Sequence, residues 1–167
     1  MQEVITRLRN KKDDEGFTLI ELLVVVVIIG VLVAIAVPVY LNYRKGAADK
    51  SAQSDVRGAV STIEQFYTDN GNSYPTSTTL KEEAASFSLN SPATAAGTPG
   101  WVSLSEKSVM TYLVGTSTGT APNITVSTYK VCAVNSNGSG KLYVYDSSVG
   151  GSVKTIDGGK ITTCAAT

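Results

Sequence analysis

The sequence contains no histidine, and this absence removes several kinds of chemistry at once. A Ser-His-Asp triad, a Cys-His pair, an HExxH zinc site and imidazole general-base catalysis all require it. Only two cysteines are present, and 14 basic residues balance 14 acidic ones. The chain therefore lacks the basic signature of proteins that bind nucleic acid through bulk charge. The composition argues against an enzyme, and the sequence predicts no cofactor and no metal site.

Hydrophobic residues are concentrated near the N-terminus, where Leu22 to Val37 contains no polar side chain. The longer stretch from Phe17 to Tyr40 contains a single charge, Glu21. As a helix at about 1.5 Å per residue it reaches about 36 Å, more than the roughly 30 Å of a hydrocarbon core. The sequence therefore predicts one membrane-spanning helix. The basic residues before it favour a cytoplasmic N-terminus.

A plain membrane anchor and a secretory signal peptide are the two ordinary explanations of this segment. A signal peptide would be cut after Ala34-Ile35-Ala36, but its apolar region is usually about 7 to 15 residues and Pro38 lies just beyond the cut. A plain anchor does not explain Glu21, because a carboxylate in the apolar region costs about 2.5 to 3.5 kcal/mol. Glu21 therefore either has a partner or extends to the membrane edge.

The segment Gly16-Phe17-Thr18-Leu19-Ile20-Glu21 and the apolar run after it resemble the class III signal of type IV pilins and pseudopilins. In that family a prepilin peptidase cuts after the glycine and methylates the new N-terminal residue. The resemblance implies cleavage between Gly16 and Phe17 and N-methylation of Phe17. It also implies an assembly role for Glu21, whose carboxylate would neutralise the Phe17 amine of a neighbouring subunit.

Gly30 and Pro38 match a glycine and a proline that the family carries in the same helix. Two interpretations remain open. Both residues are common in membrane helices and can mark only a bend. Alternatively, the stretch between them unwinds during assembly, as the corresponding stretch does in related filaments.

Beyond Pro38 the spacing of small and apolar residues predicts that the helix continues with one apolar stripe. The stripe consists of Ala48, Ala52, Val56, Ala59, Ile63 and Phe66. Charged residues, among them Asp55 and Glu64, are predicted to lie largely off it. Asp69-Asn70-Gly71 is typical of a helix end. A turn at Asp69–Asn72 is favoured over a calcium site, because the spacing is not that of an EF-hand.

After the helix the pattern changes to a loop and then to strands. A short helix is predicted near Leu80 to Phe87. Alternating residues predict strands at Val109–Val114, Ile124–Val134 and Leu142–Tyr145, with Asn137-Gly138 as a turn. The fold class is therefore α+β. It combines a long N-terminal helix, membrane-spanning below and amphipathic above, with a small C-terminal antiparallel β-sheet packed against it.

The expected organisation is a leader at 1–16, a transmembrane and filament-core helix at 17–43 and an amphipathic upper helix at 44–70. A connecting loop at 71–107 and a sheet region at 108–167 follow, and 44–167 form one globular head. Cys132 and Cys164 both lie in the part predicted to be outside the cytoplasm, which favours an intramolecular disulfide. A redox or metal pair is the alternative, but the sequence has no CxxC motif and no third ligand.

The resemblance implies a structural subunit of a type IV pilus rather than an enzyme. Its expected partners are further copies of itself in a helical homopolymer, the prepilin peptidase, the membrane assembly machinery and, before assembly, membrane lipid. It would cross the cytoplasmic membrane once with its N-terminus inside, and then enter an extracellular filament. Such filaments serve in motility, cell adhesion, DNA uptake and secretion. The alternatives are a pseudopilin of a type II secretion or competence machine, and a membrane-tethered binding domain.

Overall fold

The computed structural model describes residues 17–76, 82–90, 99–120 and 123–166. The predicted leader at 1–16 lies outside the described residues. One α-helix, α1, extends over Leu19–Asp69 and contains Gly30 and Pro38 without interruption. The chain divides into two compact units between Leu41 and Asn42. We refer to the unit that starts at Asn42 as the head.

The helix ends where the sequence predicts, at Asp69. Gly71 and Asn72 follow in left-handed conformations, with φ of 65° and 60°. Glycine adopts this conformation without steric cost, and asparagine tolerates it better than most residues. The N–H of Asn72 donates to the carbonyl of Tyr67 at 3.0 Å, which satisfies one of the carbonyls left free at the helix end. The predicted turn is confirmed.

Within its described residues, the head contains short strands arranged in one four-stranded sheet and two two-stranded sheets. The strands are β1 Phe87–Ser88, β2 Trp101–Val102, β3 Ser108–Val114, β4 Ser117–Thr118, β5 Thr125–Val126, β6 Tyr129–Asn135, β7 Lys141–Asp146 and β8 Lys154–Asp157. The main sheet has the order β3-β6-β7-β8, and each neighbouring pair is antiparallel. β1 pairs with β2, and β4 pairs with β5. The α+β fold class is confirmed.

Two predicted elements differ from the structure. The strand predicted over Ile124–Val134 is divided into β5 and β6, because the backbone at Ser127 and Thr128 turns to bind Thr116 and Gly115 instead of continuing the main ladder. The short helix predicted near Leu80–Phe87 is wrong for the described residues 82–87. There the backbone of Glu83 exchanges two hydrogen bonds with Met110 of β3, at 2.7 and 2.9 Å.

The inner face of the main sheet packs on α1 and forms the larger core. Four residues of the predicted stripe are fully buried in it: Ala52, Val56, Ala59 and Ile63. Their sheet partners include Met110, Tyr112, Tyr129, Val131 and Ala133. These residues alternate along β3 and β6 with residues of the outer face, as the two-residue period of a strand requires, and at the centre of each strand the residues of both faces are buried. The predicted apolar stripe is confirmed.

The placement of Asp55 off this stripe is wrong, since Asp55 lies on the buried face and is only 8% exposed. Its carboxylate accepts hydrogen bonds from the N–H and the hydroxyl of Ser105, at 3.1 and 2.8 Å. Burial of a carboxylate is tolerated when its oxygens are hydrogen-bonded. The sequence pattern alone did not show that a serine from a distant loop would meet this position.

The outer face of the sheet carries a smaller apolar cluster. Its buried members are Cys132, Leu142, Val144 and Cys164. Cys132 of β6 forms a disulfide with Cys164, and the two Cα atoms lie 5.9 Å apart. Cys164 belongs to a C-terminal 3-10 helix, Ile161–Ala166, which packs against β3 and β6. The inner face of the sheet is therefore covered by α1 and the outer face by the C-terminal 3-10 helix.

Candidate functional site

The start of α1 is closed by three reciprocal hydrogen bonds between Thr18 and Glu21. The N–H and the hydroxyl of Thr18 donate to one carboxylate oxygen of Glu21, at 2.9 and 2.6 Å. In return, the N–H of Glu21 donates to the Thr18 hydroxyl at 3.3 Å. This arrangement is a capping box, which satisfies N–H groups that the first helical turn leaves without a partner.

Sequence reasoning missed this local role of Glu21. The signal that would have revealed it is the spacing Thr18-x-x-Glu21 directly before an apolar run, which is the sequence form of a capping box. The carboxylate therefore has a partner within its own chain while Gly16 is still attached. A role in assembly requires that this partner can be exchanged.

The apolar part of α1 finds no cover in the described chain. Every large apolar side chain from Leu19 to Leu41 is at least 45% exposed. By length and composition, α1 contains a segment that can cross a membrane. A continuous apolar surface of this size is suited to lipid or to another apolar protein surface.

Gly30 and Pro38 lie within this exposed part of α1. Apart from its chain neighbours and the nearby backbone of α1, a Cβ added at Gly30 would meet no atom of the described residues within 4 Å. Packing within the described chain therefore does not require a glycine at this position. Both residues lie in regular helix here, and neither shows unwinding.

In the head, two carboxylates on α1 bind loops at the lower end of the sheet. Asp49 is 6% exposed and accepts the N–H and the hydroxyl of Ser139, at 2.9 and 2.5 Å. Asp55 binds Ser105 in the same way. A Cβ at Gly138 would collide with a carboxylate oxygen of Asp49, so the close approach requires glycine. These contacts fix the position of the sheet along the helix.

Tyrosines surround a third carboxylate, Glu64, near the upper end of α1. Glu64 accepts hydrogen bonds from the hydroxyls of Tyr74 and Tyr129, at 3.1 and 2.8 Å. The rings of Tyr74 and Tyr129 lie 4.7 Å apart, and Tyr67 and Tyr112 extend the cluster. Burial and the neighbouring Glu64 carboxylate raise the pKa of Tyr74 to about 12 and also raise the pKa of Tyr129. Both hydroxyls therefore stay protonated as donors.

Comparison with known proteins identifies the N-terminal segment. Residues 11–37 match the family described as the prokaryotic N-terminal methylation motif. The range includes Gly16, Phe17, Glu21 and Gly30, and it ends one residue before Pro38. No solved structure matches the chain.

Several curated proteins are similar to the chain over part of its length. Fimbrial protein EcpC of Eikenella corrodens is 39% identical over 61 residues, which are 36% of this chain and 40% of that protein. Type II secretion system core protein G of Aeromonas hydrophila is 35% identical over 86 residues, 52% of this chain and 57% of that protein. Type IV major pilin protein PilE of Neisseria gonorrhoeae is 36% identical over 75 residues, which are 45% of this chain and 44% of that protein.

The chain thus carries a prepilin-type N-terminal motif on a long helix attached to an α+β head. Its relatives are type IV pilins and the pseudopilin G of type II secretion. The matches span about half the length of these relatives, between 40% and 57%.

Proposed function

We propose that this chain is a structural, non-enzymatic subunit of a type IV pilus. The prepilin peptidase cuts it between Gly16 and Phe17 and methylates the new Phe17 amine. The mature chain then polymerises through α1. The observation that carries the proposal is the long apolar surface of α1, uncovered within the chain and preceded by the N-terminal methylation motif.

The capping box supplies a physical route to assembly. Before cleavage, the Glu21 carboxylate is occupied by Thr18. Cleavage creates a cationic amine at Phe17, which interacts with a carboxylate more strongly than a neutral hydroxyl does in an apolar environment. In the filament, Glu21 of an incoming subunit exchanges Thr18 for the Phe17 amine of its neighbour. The pair removes two isolated charges from lipid.

Repetition of this contact gives an open fibre. The contact is heterologous, because Glu21 of one copy meets Phe17 of the next, and heterologous contacts that do not close into a ring extend indefinitely. In this proposal residues 1–16 are the leader, 17–43 form the membrane anchor and later the filament core, and 44–167 form the globular region, which begins two residues after the start of the head at Asn42. The stretch from Gly30 to Pro38 either bends or unwinds as subunits pack.

The proposal also assigns partners and location. The subunit crosses the cytoplasmic membrane once with its N-terminus inside, is held there by lipid, and is extracted by the pilus assembly machinery. Its principal partner is a second copy of the same chain. Cys132 and Cys164 then lie outside the cytoplasm, where a disulfide persists.

A comparison of two variants separates the capping role of Glu21 from its assembly role. Glu21→Ala removes both the cap and the charge, whereas Thr18→Ala weakens the cap, at about 0.5 to 2 kcal/mol, and keeps the charge. In cells that express the chain with its own machinery, Glu21→Ala should give cleaved monomer in the membrane and no filaments. Thr18→Ala should still assemble. Normal filaments from Glu21→Ala would overturn the proposal.

A pseudopilin of type II secretion is the second candidate. The match to core protein G of Aeromonas hydrophila, 86 residues and 52% of this chain, favours it. Electron microscopy of cells that express the chain at its natural level distinguishes the two. Long surface fibres that contain the head support a pilus, and loss of protein secretion on deletion without any surface fibre supports a pseudopilin.

A further inference from the structure

The outer face of the main sheet is covered by the end of the chain itself. We call residues 158–166 the C-terminal strap. After β8, the N–H of Gly158 donates to the carbonyl of Gly140 at 3.0 Å. Gly159 then lies so close to Leu142 that a Cβ at position 159 would stand 2.6 Å from the Leu142 Cβ. The 3-10 helix follows and packs on β6 and β3. The strap therefore crosses the outer face from β8 to β3.

The strap protects an apolar cluster that has no other cover among the described residues. Leu142 and Val144 are 0% and 4% exposed, although they lie on the face turned away from α1. Ile161 of the strap adds a partly buried side chain to the same cluster. Without the strap these apolar side chains would face solvent, which is unfavourable.

The disulfide between Cys132 and Cys164 joins the 3-10 helix covalently to the sheet. The N–H and the hydroxyl of Thr163 both donate to Lys160, so these two hydrogen bonds remain within the strap. A six-residue 3-10 helix has poor hydrogen-bond geometry and little stability of its own. The disulfide is the covalent restraint on residues 161–166, and the apolar packing of Ile161 and Cys164 on the sheet adds to it.

A small cavity of about 120 Å³ lies beside this disulfide. Glu82, Thr111 and Leu113 line one side of it, and strap residues including Cys164 line the other. Both cysteines are almost fully buried, with Cys132 0% and Cys164 1% exposed. Of the two, Cys164 lines the cavity, so a small molecule that occupies it contacts the disulfide from the side of Cys164 and lies beside the exposed Glu82.

We propose that the C-terminal strap is a redox-gated cover, opened by a small thiol that enters this cavity. A thiolate attacks Sγ of Cys164, the S–S bond breaks, and Cys132 leaves as a thiolate that takes a proton from solvent. A second thiol resolves the mixed disulfide, so that two thiols are oxidised to one disulfide and both cysteines are reduced. The strap then lifts and uncovers the outer cluster, while the inner core on α1 stays folded.

The charge of Glu82 gives the proposal a specific test. The full chain is purified oxidised in detergent, and disulfide reduction is timed with three thiols at equal thiolate concentration. These are cysteamine, 2-mercaptoethanol and 2-mercaptoethanesulfonate. The cationic thiol should react fastest and the anionic one slowest. Glu82→Gln should accelerate the sulfonate about threefold, as removal of one charge a few ångströms away predicts in water-like surroundings.

Glu106→Gln is the matched control, because Glu106 is an exposed carboxylate of the head that does not line the cavity. It should leave all three rates unchanged. Rates that do not depend on thiol charge, or a Glu82→Gln variant that behaves like the control, would overturn the access route. This measurement starts from the folded, oxidised protein and does not require a cysteine-free variant to fold.

Amide hydrogen exchange before and after reduction tests the cover itself. Reduction should abolish protection in residues 161–166 and leave β6 and residues 52–63 of α1 protected. Unchanged protection of the strap would show that the disulfide is not its restraint. Loss of protection throughout the sheet would show that the strap is no separate element. The proposal is independent of filament formation, since both measurements use the unassembled chain.

Discussion

Replacement of Asp49 by alanine is the most direct test of how α1 and the sheet are held together. Asp49 is almost fully buried, and both its carboxylate oxygens accept hydrogen bonds from Ser139. Asp49→Ala removes the carboxylate that accepts both bonds, so the N–H and the hydroxyl of Ser139 lose this acceptor. The change therefore breaks a buried contact between two segments that are 90 residues apart.

The expected loss follows from the two hydrogen bonds. Each bond to a charged group contributes about 1.5 to 3 kcal/mol to stability. The cost of burying the carboxylate offsets part of this sum. We therefore expect Asp49→Ala to lower the free energy of unfolding by about 2 to 4 kcal/mol. Asp49→Asn keeps one acceptor oxygen and should lose about half as much.

Trp101 is the only tryptophan of the chain and lies in β2 of the head, so its fluorescence reports head unfolding. Urea titrations of the full chain in detergent measure the change. Asp69→Ala is the matched control, because Asp69 is an exposed helix-end carboxylate that binds only Gln65 in the described structure. It should change stability by less than about 0.5 kcal/mol. An equally small effect of Asp49→Ala would refute the reasoning.

Gly138 extends this test to a double-mutant cycle. A Cβ at position 138 collides with an oxygen of Asp49, so Gly138→Ala should destabilise the wild-type head. In the Asp49→Ala background the colliding atom is absent, and the same change should cost much less. Equal costs in the two backgrounds would show that the two positions are not coupled.

Three further predictions concern the tyrosine cluster and the strap. Glu64→Ala leaves the hydroxyls of Tyr74 and Tyr129 without their shared acceptor and should lower the free energy of unfolding by about 2 to 3 kcal/mol. Glu64→Gln keeps an acceptor oxygen and should lower it less. Urea titration measures both variants, and equal losses would contradict the role of Glu64 as shared acceptor. Because the pKa of Tyr74 is raised from 10 to about 12 in the folded state, the folded state holds this proton more tightly, so its contribution is present below pH 10 and is lost as the pH rises towards 12. Titrations between pH 9 and 12 should show falling stability, with a shallower fall in Tyr74→Phe, and a flat profile would contradict this. Gly159→Ala should destabilise the head by about 1 to 3 kcal/mol, because the new Cβ would lie 2.6 Å from Leu142. The control Gly58→Ala, at a helix position where a Cβ meets no other atom within 4 Å, should be neutral or stabilising. Equal thermal midpoints for the two variants would argue against close packing of the strap on Leu142.

The parts of the fold that a periodic pattern specifies were predictable from the sequence. The stripe from Ala52 to Ile63 and the strands β3, β6 and β7 repeat at helical and strand periods, and the structure confirms them. The helix end at Asp69 was predictable because the residues after it favour a left-handed turn. These features depend on local sequence alone.

Features that depend on distant partners were not predictable in the same way. An aspartate on a helix is expected to face solvent, but Asp55 is buried, and Ser105, fifty residues away in the sequence, supplies two hydrogen-bond donors to its carboxylate. β8, at Lys154–Asp157, is short and mostly exposed, so its residues show no strand pattern in the sequence. It is recognised as a strand because it pairs with β7. The 3-10 helix after it contains no periodic signal and forms where Cys164 meets Cys132.

In the N-terminal segment, Glu21 belongs both to the methylation motif and to a capping box. Gly16, Phe17 and Glu21 were recognisable because their spacing resembles the prepilin signal, and the methylation-motif match covers them. The same glutamate also closes a capping box with Thr18, which the functional interpretation obscured. The proposed assembly step is therefore an exchange of partners for Glu21.

The mass and the N-terminal sequence of the mature protein, isolated from its native cells, are the decisive measurement for the proposed processing. We expect a chain that begins at Phe17 and carries one methyl group on its amine. A chain that retains Met1, or one that begins near Val37, would contradict it. The exposed apolar surface of α1 would then be a tether or a removed signal, and the head would have to act alone.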